Sequence, residues 1–304
     1  MTQTRSYPTG SHTAGYSAAI ASAVLFSIKG VFAKKAYAAG ATPEVLLGLR
    51  FAFTLPVFAG IALKEVEGRK LSGLRVADWF QVGAITSMGY VFASLLDFKG
   101  LQHVSVGLER LILYLHPTLV VLMAAWFLGR PMRGRMIPAL VLSYIGLALC
   151  FMGEIHVTAR GSTLRGALMI FGSAAAYAVF MLGAEKLVPR IGVHRLTALG
   201  MVLSGIIFPA QAVLRTGGSA LFHLPGPVYY WSLAMAVFGT VAPVYLFGIG
   251  LKSLGATRLS IVSMAGPVVV LPLAALFLGE PAGIFQWSGF AFTVAGGMLL
   301  MWRR

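Results

Sequence analysis

The stretch Gly100 to Pro131 reads GLQHVSVGLERLILYLHPTLVVLMAAWFLGRP, and 150 positions later, without a gap, Gly250 to Pro281 reads GLKSLGATRLSIVSMAGPVVVLPLAALFLGEP. Gly100/Gly250, Leu101/Leu251, Pro117/Pro267, Val120/Val270, Ala124/Ala274, Ala125/Ala275, Phe127/Phe277, Leu128/Leu278, Gly129/Gly279 and Pro131/Pro281 are identical pairs. Each copy runs from a mid-segment proline through an apolar stretch to an F-L-G-x-P stop. That order, met twice at one offset, marks a unit that the chain contains twice.

What surrounds the repeat is apolar. Of 304 residues, 58% are hydrophobic and 11% charged, and the mean hydropathy is +0.84, far above an ordinary soluble domain. Runs of about 20 apolar residues suffice to cross a hydrocarbon core of about 30 Å as helices. None alternates with the period of two that a transmembrane barrel demands. The one cysteine, Cys150, excludes an intramolecular disulfide and a multi-cysteine metal site. The net charge of +15 is scattered over short links rather than gathered into a face, so it reads as a topology signal and not as a nucleic-acid footprint.

The pattern predicts an all-α membrane protein of ten helices, at 16–37, 43–63, 79–98, 102–127, 134–153, 163–186, 194–214, 227–249, 255–278 and 283–302. Residues 1–15 form a polar tail, 16–157 the first five-helix unit and 158–304 the second. The first apolar run carries Lys29 and lacks a signal-cleavage pattern, so it is expected to stay. With a cytoplasmic N-terminus, 15 Lys and Arg fall on that side and 6 on the other, which places both termini inside. Five helices are an odd number, so the second unit enters the membrane from the opposite face. Inverted repeats of this kind characterise secondary transporters, whose substrate site lies near the midplane between the halves and is exposed alternately to each side.

Two five-helix halves ending in P-x-x-x-x-x-x-A-A-x-F-L-G-x-P, together with the L-x-L-R-F run at Leu47 to Phe51, resemble the EamA-type members of the drug/metabolite transporter superfamily. Within it the chain is similar to the bacterial aromatic amino-acid exporters of the YddG type. The resemblance implies an inner-membrane exporter of amino acids or related metabolites, with helices 1–4 and 6–9 around a central cavity and 5 and 10 peripheral. One departure is that the L-G-E ending survives at Glu280 while the first copy has Arg130.

An ionisable side chain inside a span costs about 2.5–3.5 kcal/mol on insertion scales. Lys29 lies roughly 12 Å from the outer end of its helix, and Arg50, Glu109 and Arg110 lie roughly 11 Å from theirs, so all four share one layer. Read functionally, Glu109 neutralises one cation and the remaining positive charge meets a substrate carboxylate, with Lys29 the foremost candidate. Read structurally, Glu109 locks helices by pairing with Lys29 or Arg50 while Arg110 snorkels outward. Asp97, at the outer end of helix 3, reads first as an interfacial anchor. Asp97, Glu109 and His116 are the candidates for proton coupling, and His116 has the alternative of bonding a neighbouring helix as a neutral ring. Tyr90, Tyr114, Tyr177 and Tyr245 are expected to line the cavity, and Pro117 and Pro267 to act as hinges.

A passive channel is the first competitor, but pores arise from rings of residues around an oligomer axis, whereas here the repeat is internal. An enzyme is disfavoured, since there is no H-E-x-x-H, G-x-S-x-G or cysteine set. The expected partners are a small-molecule substrate and the lipid bilayer, with no nucleic acid and no cofactor. The pattern sets no oligomeric state.

Overall fold

The computed structural model describes residues 11–67, 76–129, 134, 136–155, 160–263, 266–280 and 283–301. The helices are α1 (Ser11–Ala38), α2 (Pro43–Glu67), α3 (Val76–Thr86), α4 (Ala93–Leu101), α5 (Val106–Leu113), α6 (His116–Leu128), α7 (Met136–Ile155), α8 (Arg160–Ile191), α9 (Val193–Thr216), α10 (Gly226–Ala236), α11 (Ala242–Ser263), α12 (Gly266–Leu278) and α13 (Ile284–Met301). Single π-turns at Ser87–Phe92 and Val237–Val241 join α3 to α4 and α10 to α11. Among the described residues seven helical segments are long and apolar enough to cross a membrane, and Ile137–Gly153 and Val269–Leu278 are shorter apolar helices. With α13 these make ten apolar helical segments, in accord with a ten-helix, all-α membrane fold.

The packing repeats as the sequence does. α1 lies along α11 and α12, and 150 residues on, α8 lies along α4 and α6; α2 packs on α9 and α7 on α13. Each unit's first helix is therefore seated in the other unit. α7 and α13 meet at backbone distance: a Cβ on Gly146 would fall 2.4 Å from the Gly289 carbonyl, and one on Gly289 would fall 2.6 Å from that of Gly146. Membrane helices hold one another by such close packing, because lipid offers no hydrophobic drive between them.

The repeated stop has a local cause. Gly129 and Gly279 adopt φ values of 60° and 67°, the left-handed conformation that ends a helix at low cost only with glycine. Two boundaries differ from the sequence reading. The fourth span is broken into α5 and α6 at Tyr114–Leu115, so Pro117 stands in the first turn of α6, where its missing N–H is not needed, rather than mid-helix. α12 is described from Gly266, directly before Pro267; the side chains of both prolines lie outside the described residues. The end of the eighth span also continues into the ninth as one helix, α11, with no break at 250–254.

Candidate functional site

α1 carries Lys29 to the centre of the bundle, where Gly30 lets it approach α5: a Cβ there would come within 2.7 Å of Val106 and 3.4 Å of Glu109 Oε2. Lys29 Nζ donates to Asp97 Oδ2 at 2.7 Å, stands 3.8 Å from Glu109 Oε1, and lies 5.1 Å above the Phe98 ring. Asp97 is buried on α4 and Glu109 fully buried on α5. Asp97 is thus no interfacial anchor. α4 runs to Leu101, three residues beyond the predicted end, which takes Asp97 inward by almost a turn.

Arg110 does not snorkel. It is buried, its Nη2 donates to the Phe26 carbonyl of α1, and its Nε stands 3.4 Å from Glu109 Oε2. Phe26 and Lys29 are three apart and share a face of α1, so consecutive Glu109 and Arg110 both reach that helix. Both oxygens of Glu109, as well as Asp97 Oδ1, have no hydrogen-bond partner among the described residues. Chemically, this is a set of buried acceptors beside cations, able to take up a proton or a donor group from a ligand.

Arg50 completes the layer from α2. Its guanidinium lies 4.9 Å from the Phe51 ring and 5.3 Å from that of Phe98, and Nε donates to Thr240 Oγ1 at 3.0 Å. Thr240 belongs to the π-turn of the second unit, and Gly239 beside it sits 3.6 Å, measured from its would-be Cβ, from Lys29 Cβ. The first unit's charges are therefore closed in by the second unit's turn. Sequence reading missed Thr240. The available signal was Gly89 and Gly239, identical residues 150 apart, which lie in the two π-turns.

The packing recurs at the 150-residue offset but the charge does not. Positions 150 beyond Lys29, Arg50, Asp97, Glu109 and Arg110 hold Val179, Gly200, Phe247, Leu259 and Ser260. All five ionisable groups belong to the first unit.

The aromatic candidates divide. The His116 ring meets Tyr177 edge-on at 5.4 Å, and Tyr177 lies 5.5 Å from Phe180. His116 Nδ1 is 3.0 Å from the Leu113 carbonyl; a carbonyl only accepts, so Nδ1 carries the proton. Its bond is thus to its own chain, one turn back, rather than to a neighbouring helix. Tyr114 caps α5. Tyr90 packs edge-on to Phe180 at 5.2 Å and against Gly200 of α9. Tyr245 is 71% exposed and is not brought to the ionic layer. A groove of about 480 Å³ between α4 and α8, lined by Leu96, Leu164, Arg165, Leu168 and Met169, shares no residue with that layer.

Glu280, the acid retained in the second copy, has a structural partner: its Oε2 accepts from the Val106 N–H at 2.9 Å, at the start of α5. A carboxylate there satisfies an otherwise orphaned donor and complements the helix dipole. Ser105 caps the same end, accepting from Leu108 N at 3.1 Å. The short helix bearing Glu109 and Arg110 is thereby fixed from the opposite unit.

Comparison with known proteins accords with this architecture. The profile of the EamA-like transporter family matches the chain twice, at residues 13–152 and 164–302. The uncharacterized transporter YcbK of Bacillus subtilis is 32% identical over 293 residues, with 90% of this chain and 89% of the relative covered. An uncharacterized transporter of Archaeoglobus fulgidus is 24% identical, with 86% and 90% covered. A solved crystal structure superposes with a TM-score of 0.57 at 17% identity, covering 97% of each chain, and supports the fold alone.

Proposed function

The chain belongs to the EamA-like transporter family, and from that premise we propose that it exports amino acids, aromatic ones included, or related small metabolites by alternating access. We place it in a bacterial inner membrane with both termini cytoplasmic, an orientation that the excess of Lys and Arg on that side supports. On this reading residues 16–157 and 158–304 are inverted halves that rock about a site between them.

The observation that carries the proposal is the buried layer of Lys29, Arg50, Asp97, Glu109 and Arg110 closed by Gly239 and Thr240 of the other half. Five ionisable groups at bilayer depth are costly to hold there, and two of them meet the seam along which the halves would move. Asp97 and Glu109, with bare oxygens, are the proposed proton carriers, and His116 a relay beside Tyr177. Tyr90, Tyr114 and Tyr177 offer flat faces and hydroxyls to an aromatic side chain. Pro117, in the first turn of α6, and Pro267, its counterpart 150 residues on, are the proposed hinges.

The test is uptake of labelled amino acids into liposomes containing only the purified protein, with and without a pH gradient. Saturable uptake with counterflow, strongest for bulky side chains, is the expected result. An amino-acid panel that crosses no faster than in protein-free liposomes removes the amino-acid assignment. Non-saturable flux without counterflow removes alternating access.

A further inference from the structure

We infer that Arg50 is the anchor for an oxyanion on the transported molecule, a carboxylate or a group of its shape and charge, and that Lys29 is not. The inference rests on the transport reading above and narrows it from small metabolites to those bearing a negatively charged oxygen group. Three cations share the layer, and two of them are engaged. Lys29 is held between two acids, at 2.7 Å and 3.8 Å. Arg110 gives Nη2 to the Phe26 carbonyl and faces Glu109.

Arg50 differs. It is 7% exposed, yet no carboxylate among the described residues lies within 4 Å of its guanidinium. Its hydrogen bond to protein is the one from Nε to Thr240; neither terminal nitrogen finds an acceptor among the described residues, and neither is sealed from accessible space. The guanidinium lies over the Phe51 and Phe98 rings. What remains open is the planar pair of terminal N–H groups, which suits a two-oxygen acceptor.

The internal repeat supplies a control for the packing explanation. In the twofold-related contact, Gly200 replaces Arg50 and Tyr90 replaces Thr240. There the turn's ring fills the space, with a Cβ on Gly200 falling 2.3 Å from Tyr90 Cδ2, and the Tyr90 hydroxyl bonds Thr197. The same junction between α-helix and π-turn is thus built without a charge in the other half. A buried guanidinium is not needed to make this fold, and a bound anion would offset the part of its cost that Thr240 and the two rings leave. Because Arg50 and Thr240 come from opposite halves, an anion held there sits on the moving seam.

The experiment is proteoliposome uptake of matched acids and amides, L-phenylalanine against L-phenylalaninamide and L-leucine against L-leucinamide, with phenylacetate and phenethylamine as probes of each group alone. Wild-type protein is expected to prefer the acids and to be inhibited by phenylacetate but not phenethylamine. Arg50→Gln is expected to lower the acid-to-amide ratio by about 10- to 100-fold, the range for losing a charged hydrogen-bonding partner. Arg50→Lys, which keeps the charge and loses the fork, is expected to fall between them, and Thr240→Val to lower the ratio with the charge intact. Thr240→Val also carries the test should Arg50→Gln fail to fold. Flux without acid preference in the wild type, or a preference that survives Arg50→Gln or Thr240→Val, overturns the anchor and leaves the transport reading standing. Flux of none of these probes removes the anchor together with the amino-acid assignment.

Discussion

Lys29→Met removes the ammonium that two buried acids share. At an effective dielectric of 20, charges 2.7 Å apart attract by about 6 kcal/mol and charges 3.8 Å apart by about 4 kcal/mol. Desolvation offsets most of this, so the net contribution of the intact group is small. Breaking the group is another matter, since Asp97 stays buried without its hydrogen-bonded counter-ion, at a cost of about 3–5 kcal/mol, while Glu109 keeps Arg110 at 3.4 Å. Removing the orphaned charge should therefore recover stability without restoring the lysine. Asp97→Asn, at the shorter and hydrogen-bonded distance, is expected to rescue Lys29→Met more than Glu109→Gln does. Thermal unfolding in detergent, read for the single and paired variants as a double-mutant cycle, makes the comparison. Lys29→Met melting with the wild type, or Glu109→Gln rescuing better than Asp97→Asn, refutes the buried ionic group as described.

Gly146→Ala should cost about 1–3 kcal/mol, as overpacking does, because its methyl would press on the Gly289 carbonyl and Thr293 Oγ1; Gly248→Ala, with nothing within 4 Å, should instead stabilise by about 0.5–1 kcal/mol, and melting temperatures separate the two. Glu280→Ala orphans the Val106 N–H and should destabilise by roughly 1–2 kcal/mol, while Glu280→Gln, keeping an acceptor oxygen, should lose less in the same melt. Tyr245→Leu should leave proteoliposome uptake unchanged, since the ring is exposed on the bundle surface; a loss of uptake would place it at the site after all.

Much of the fold was legible because a repeat is a statement about geometry. The pairs Gly129/Gly279 and Pro117/Pro267 predicted two matched segments, and the two left-handed glycines and the half-helix starting at His116 are their physical form. The ionic layer was legible too, because Lys29, Arg50, Glu109 and Arg110 are rare polar residues in apolar runs. Asp97 was misjudged because its place depends on where α4 ends, and helix ends are weakly encoded where every neighbour is apolar. The π-turns left no trace beyond Gly89 and Gly239, so Thr240 went unseen. Tyr245 was placed by the helix it belongs to; which face of that helix is wet was not readable from residues apolar almost all round.

The central claim is that this ionic layer binds a solute and passes it across the membrane. Counterflow tests it most directly: liposomes holding the purified protein are preloaded with unlabelled amino acid, and labelled amino acid is added outside at trace concentration. The account predicts transient accumulation of label above equilibrium in wild-type vesicles and its loss with Glu109→Gln or Arg50→Gln. No accumulation in wild-type vesicles for any amino acid that demonstrably enters, or full accumulation with both variants, would contradict it.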